Sequence, residues 1–160
     1  MGKEKLKSLE ELSEIVARFK GEGLKVVFTN GCFDILHVGH VRLLAAAKTF
    51  GDILIVGLNS DSSVKRLKGE KRPIVSGPDR AEVLSAIESV DYVVLFEEDT
   101  PVRVIGALKP HVHVKGGDYD LEKIPEAEVV RSYGGELRAF SLVDGRSSTD
   151  IIEKIGGTLI

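Results

Sequence analysis

Lys25 to Thr29 reads KVVFT, a short β-branched run with no polar alternation, and it leads through a Gly-bearing loop into a helical pattern. A strand without alternation is covered on both faces, and that is the condition of a strand in a parallel sheet. Parallel neighbours cannot be joined by a hairpin, so the chain is committed to helical crossovers. The rest of the sequence supplies them. Ser8 and Glu11 have capping-box spacing ahead of Leu9, Leu12, Ile15, Val16 and Phe19, which predicts a first amphipathic helix ending near Gly21. Helices are then expected at Val38–Lys48, stopped by Gly51 as a C-terminal glycine, and at a short segment through Lys65 to Leu67 capped by Asn59 and Asp61. Others follow at Arg80–Glu88 behind Pro78 and Asp79, from Pro101 to Leu108 capped by Thr100, near Glu126–Ser132, and at Thr149–Ile155.

Between these lie strands expected at Ile53–Leu58, Tyr92–Phe96, around Val112–Lys115 and at Glu136–Phe140. Five strands alternating with helices predict one α/β domain over residues 1–160, an N-terminal helix in 1–24 and a doubly wound five-stranded parallel sheet flanked by helices in 25–160. In such sheets ligands bind beyond the carboxyl ends of the strands, so the polar segments after strands one, two, four and five are expected on one edge. The stretch KGEKRPIVSGPD, residues 68–79, reads as a mobile substrate loop or lid.

Charge narrows the partners. With 22 basic and 25 acidic residues interspersed and a net charge of −3, the chain has no broad positive field for a nucleic acid. An anionic ligand has to be held by a few local groups. The single cysteine, Cys32, allows no intramolecular disulfide and no thiolate metal cluster. No stretch approaches the ~20 apolar residues of a membrane span, and the charged N-terminus lacks a secretory h-region, so a cytoplasmic protein is the simplest expectation.

The loop after the first strand carries the chemistry. A helix N-terminus presents unpaired N–H groups and a partial positive charge. Gly31 and Gly39 permit close backbone approach, and His37 and His40, three apart in the first helical turn, can each offer an N–H to an anion. A metal pair is the less favoured reading, because helical His ligands usually stand at i and i+4 with further ligands nearby. Ser147, Ser148 and Thr149 precede the last helix and predict a second anion site with three hydroxyl donors. Lys115, Gly116, Gly117, Asp118 and Tyr119 form a Gly loop suited to a nucleobase, with Asp118 able to accept from an amino group.

The order GCFDILHVGH resembles the HxGH motif of the nucleotidylyltransferase superfamily, which includes the cytidylyltransferases. NSDSSVKRLKG at 59–69, VKGGDY at 114–119 and GRSSTDII at 145–152 are similar to the adenylyltransferases of ADP-heptose synthesis, over a span from about Lys25 to the C-terminus. The resemblance implies a Rossmann-like fold and transfer of AMP from ATP to D-glycero-β-D-manno-heptose 1-phosphate, with Mg²⁺ carried by ATP and no dedicated metal ligands. It implies His40 and His37 at the reacting phosphates, Gly39 against the nucleoside, and Thr29, Asn30, Gly31, Cys32 and Phe33 around the phosphates. By the same likeness the nucleotide is bound by Lys115, Gly117, Asp118, Ser147, Ser148 and Thr149. On the acceptor side stand Asn59, Asp61, Lys65, Lys68, Arg80 and Asp34, Lys68 also counting as catalytic; Lys65 and Lys68 are not separable by sequence. For Asp34, orienting the loop or capping the helix is the stronger reading. Arg103 and Arg146 are weaker candidates.

The family favours dimers, and in some organisms the activity is fused to a sugar kinase, for which this chain is too short; a separate heptose kinase is then the expected companion. Rival readings are transfer of CMP or AMP to a polyol phosphate or phosphorylated cofactor, and a non-catalytic nucleotide sensor.

Overall fold

The structure is a computed structural model and describes residues 4–141 and 147–158. Five strands, β1 (Val26–Gly31), β2 (Ile53–Asn59), β3 (Tyr92–Phe96), β4 (Val112–Gly116) and β5 (Glu136–Phe140), form one sheet in the order β3-β2-β1-β4-β5. Every pairing is parallel. The helices are α1 (Leu9–Gly21), α2 (Val38–Lys48), α3 (Asp61–Lys68), α4 (Gly77–Ser85), α5 (Val102–Leu108), α6 (Glu126–Ser132) and α7 (Ser148–Thr158). From β1 the winding runs outward through β2 to β3, then returns to β1's other side for β4 and β5. The order therefore reverses between β1 and β4, and a crevice opens beyond their carboxyl ends.

Two apolar layers explain why the strands lack alternation. Val27, Leu54, Val56 and Val114 pack with Leu43, Leu44 and Ala47 of α2 and Ala81 and Leu84 of α4. On the opposite face Val26, Phe28, Ile55 and Val94 pack with Leu12 and Val16 of α1, Ile105 of α5 and Val130 of α6. Both faces of the central strands are thus dry. Strand β5, at one edge, stays largely open. The opposite edge is covered: Leu6 bridges β3 at Val93, and Lys5 Nζ donates to the carbonyl of Val90 at 2.6 Å. Such cover blunts an edge that could otherwise pair with another chain.

Several local expectations need correction. Helix α1 has its capping box, with Ser8 and Glu11 exchanging bonds. Helix α3, however, is capped by Ser60, whose Oγ accepts from Ser63 N, and not by Asn59 or Asp61. Ser76 caps α4, one turn earlier than the Pro78–Asp79 signal suggests. Thr100 makes no capping bond to α5. Gly51 does not end α2, which closes at Lys48 with Thr49 in a right-handed cap. Its reason for being glycine is space: a Cβ there would lie 2.7 Å from both the Lys25 carbonyl oxygen and Val27 Cγ2. Among the described residues no helix is long and apolar enough to cross a membrane.

Candidate active site

A cavity of about 540 Å³ lies at the switch point, a volume within the usual range of small-molecule sites. Segments following all five strands line it, including Asn30 to Asp34 after β1, Asn59 and Lys68 after β2, and Asp99 to Pro101 after β3. Lys115, Gly116, Tyr119 and Glu126 close the β4 side, and Ser147, Ser148 and Thr149 close the end beyond β5.

The histidine pair is built by the start of α2. His37 is the N-cap residue in extended backbone, and its Nδ1 accepts from Gly39 N at 3.1 Å. His40 Nδ1 accepts in turn from His37 N at 3.3 Å. The two rings stack at 3.8 Å between centroids, and His40 also rests on Phe33 at 5.1 Å. An imidazole whose Nδ1 accepts a hydrogen bond keeps its proton on Nε2 when neutral, so both rings are left with an Nε2–H to donate. Burial pushes His40 down to about 4, with the neighbouring His37 adding to the effect. His37 is lowered as well, by burial, against a partial pull upward from Asp150. At neutral pH the pair therefore offers two neutral donors of fixed direction, beside the α2 N-terminus. Phe33 and Ile35, which shape this loop, both have left-handed backbone, at φ 47° and φ 52°, a conformation non-glycine residues rarely take.

The start of α7 lines the same cavity as the start of α2. Ser148 Oγ donates to the carbonyl oxygens of Asp34 and Ile35, fastening α7 to the β1 loop. Ser147 Oγ accepts from Asp150 N at 3.1 Å and donates to Asp150 Oδ2 at 2.7 Å. The expectation of three hydroxyl donors is narrowed accordingly: two are spent on the fold and that of Thr149 remains, while of the leading N–H groups those of Asp150 and Ile151 are taken by Ser147. Arg146 lies outside the described residues.

Several sequence candidates have their polar groups committed to holding the site together. Thr29 is fully buried, and its Oγ1 donates to the carbonyl of Val114 at 2.8 Å, stitching β1 to β4; its hydroxyl has no spare proton for a phosphate. Arg80 is 2% exposed. It donates to the carbonyls of Cys32, Asn59 and Val75 and to Asp61 Oδ1 at 2.7 Å, so neither Arg80 nor Asp61 faces the cavity as a substrate ligand. Asn59 lines the cavity but spends its amide on Ser63 Oγ. Asp34 is buried with a carboxyl held low: against the cost of burial, the N–H groups of Ile74 and Val75 and the Arg72 guanidinium stabilise its charge. It lines the cavity, and these bonds hold the loop in place. The segment expected to be a mobile lid is fastened by these bonds.

Lys68 lines the cavity, and Lys65 is not among its lining residues. Lys68 lies near enough to Cys32 to favour its thiolate, although burial dominates and raises that thiol. Lys115 reaches the cavity, paired with Glu126 at 3.1 Å and 5.2 Å from the Tyr119 ring. Asp118 is exposed and is not among the residues lining the cavity. Gly117, at φ 121°, is also outside; a Cβ there would strike the Tyr119 ring at 2.7 Å, and its glycine serves to lay Tyr119 against the cavity. Gly39 is buried within the α2 start and contributes its N–H to the cap. Arg103 pairs with Glu98 away from the cavity.

Sequence reading missed Arg72, Glu126 and the Asp99–Pro101 turn. Glu126 is 1% exposed, and its Oε2 has no partner among the described residues. His113 on β4 is fully buried with both ring nitrogens unpartnered there, and burial pushes it down to about 4. Among the described residues no group of three His, Cys, Asp or Glu side chains comes together to hold a metal ion.

The sequence profile of the family described as cytidylyltransferase-like matches residues 28–154. The bifunctional protein HldE of Geobacter sulfurreducens is 56% identical over 96% of this chain, and the same-named protein of Aliarcobacter butzleri is 53% identical over 94%. In both cases the chain spans 31% of the relative's length. Among solved structures, the lipopolysaccharide core biosynthesis protein of Thermoplasma volcanium is 30% identical, with a TM-score of 0.61 over 76% of this chain and 98% of that one. The pantoate-beta-alanine ligase of Francisella tularensis, at 14% identity and a TM-score of 0.62 over 97% of this chain and 78% of the ligase, shares the fold.

Proposed function

The chain belongs to the cytidylyltransferase-like family, and from that premise we propose that it transfers AMP from ATP to D-glycero-β-D-manno-heptose 1-phosphate, releasing ADP-heptose and pyrophosphate. The observation that carries the reading is the pair of histidines fixed at the start of α2 with an Nε2–H each to donate, lining the same cavity as Lys68. A sugar-phosphate oxygen attacks the α-phosphorus as the bond to pyrophosphate breaks. The nucleophile is already anionic at pH 7, so no general base is needed, and the rate must come from positioning and charge neutralisation. His40 donates to the α-phosphate oxygens, His37 to the departing phosphates, and Lys68 offsets charge between the two anions. The N-terminus of α7 receives the rest of the triphosphate. Magnesium arrives with ATP as part of the substrate.

The heptose acceptor is supported by the motif resemblance over residues 59–69, 114–119 and 145–152, and by similarity to a protein described as acting in lipopolysaccharide core biosynthesis. We place the enzyme in the cytoplasm as a homodimer, supplied by a sugar kinase, with residues 1–160 forming one nucleotidylyltransferase domain. The family's description favours a second reading, CMP transfer from CTP to a polyol phosphate. Pyrophosphate release with ATP or CTP against a panel of sugar and polyol phosphates separates them. Release with ATP and heptose 1-phosphate is expected; release only with CTP and a polyol phosphate would establish the second reading instead.

A further inference from the structure

Arg72 belongs to the segment, residues 68–79, that the sequence predicts to be a mobile substrate loop or lid. Its Nε donates to Asp34 Oδ2 at 2.8 Å, and that buried carboxylate also accepts from Ile74 N at 2.8 Å and Val75 N at 3.0 Å. One buried acid thus fixes both the guanidinium and the backbone that follows it. The Arg72 side chain is 14% exposed, and it is exposed to the cavity. Nε is the only nitrogen of the guanidinium with a partner among the described residues, which leaves the two terminal nitrogens as an oriented fork. A planar fork held on a cavity wall matches two oxygens of one phosphate, and its geometry is set before the ligand arrives.

Charge says which phosphate. The α2 and α7 N-termini hold the nucleotide in the reading above, and the histidines there are neutral. A second phosphate brought to the α-phosphorus is repelled by the triphosphate, and fixed cations must offset that repulsion. Lys115 is already compensated by Glu126. Lys68 and Arg72 are the cations that line the cavity on the β2 side, where in-line attack requires the nucleophile to stand opposite the departing pyrophosphate.

We propose that Arg72, oriented by Asp34, binds the phosphate of the acceptor and so restricts the enzyme to phosphorylated acceptors, an inference that rests on the cavity being the site of nucleotidyl transfer. Asp34 is its positioning residue. The test compares wild type, Arg72→Lys and Arg72→Ala in pyrophosphate release with ATP and heptose 1-phosphate, alongside equilibrium binding of the analogue AMPCPP and thermal melting. The acceptor KM is expected to rise by about 10-fold or more in Arg72→Ala and less in Arg72→Lys, which keeps charge without the fork. AMPCPP affinity is expected to hold, and melting to fall without loss of the fold, because buried Asp34 loses the guanidinium but keeps the N–H groups of Ile74 and Val75. An equal loss of AMPCPP affinity would move Arg72 to the nucleotide, and unchanged KM values would make it a loop fastener; either overturns the proposal. Should wild type itself release no pyrophosphate from heptose 1-phosphate, the acceptor assignment fails separately. Inorganic phosphate is then titrated into the AMPCPP complexes: weaker binding to Arg72→Ala supports the role of Arg72, and equal binding rejects it.

Discussion

At the scale of single residues, the site divides into groups that face the cavity and groups that hold the facing groups still. Thr29 shows how the two can be confused. It stands at the end of the strand that leads to the histidines, yet its hydroxyl is consumed by the Val114 carbonyl. Thr29→Val is expected to lose about 1 kcal/mol of stability, the net worth of one hydrogen bond, and to retain turnover within a few-fold of wild type. Urea denaturation and a pyrophosphate assay check both halves, and a large loss of turnover in a stable variant would return Thr29 to the catalytic set. The histidines were legible from sequence because their spacing fixes their geometry within one helical turn. Arg72 was not, because its value depends on Asp34, 38 residues away in the chain, and no local pattern announces such a partner.

At the scale of elements, strand and helix positions followed from hydrophobic period, and β3, α2, α6 and β5 have the expected bounds. Caps were less legible. Asn59, Asp61 and Thr100 are all reasonable capping types, but Asn59 spends its amide locally on Ser63, Asp61 stands inside α3 paired with Arg80, and α5 has no side-chain cap. Arg80 is the clearest case of tertiary use overriding a sequence signal. It ties α4 to the β1 loop through Cys32 O at 2.6 Å and to the end of β2 through Asn59 O at 2.9 Å. Arg80→Ala leaves these buried acceptors unpaired and is expected to cost about 3 kcal/mol, read as a lowered urea midpoint. A variant with unchanged stability and a raised acceptor KM would instead restore Arg80 as a substrate ligand.

At the scale of the whole molecule, parallel winding was the most legible property, since unalternated strands admit few other arrangements. The cavity's contents were less so, because five separate segments meet there and each alone reads as ordinary loop. A global consequence lies in the histidines. All four have pKa values lowered in the fold, with burial the leading cause, and His40 and His113 fall to about 4. The unfolded chain, with histidines near ~6.5, binds protons more readily than the folded one as pH falls. Their contribution to stability is therefore complete above about pH 6.5 and is lost between there and about pH 4. The melting temperature is expected to drop by roughly 5 °C from pH 7.5 to pH 5; a flat profile over that window would contradict the neutral, buried state of these rings.

The account as a whole stands on His40 acting at an α-phosphorus while an acceptor phosphate attacks. The most direct test follows ATP and heptose 1-phosphate by ³¹P NMR with wild type and with His40→Ala, after confirming that the variant melts normally. The account predicts that wild type forms pyrophosphate and a sugar diphosphonucleotide in equal amounts, and that His40→Ala does so at least ~100-fold more slowly. Near-equal rates in a folded variant, or ATP consumed without equimolar pyrophosphate, would contradict it.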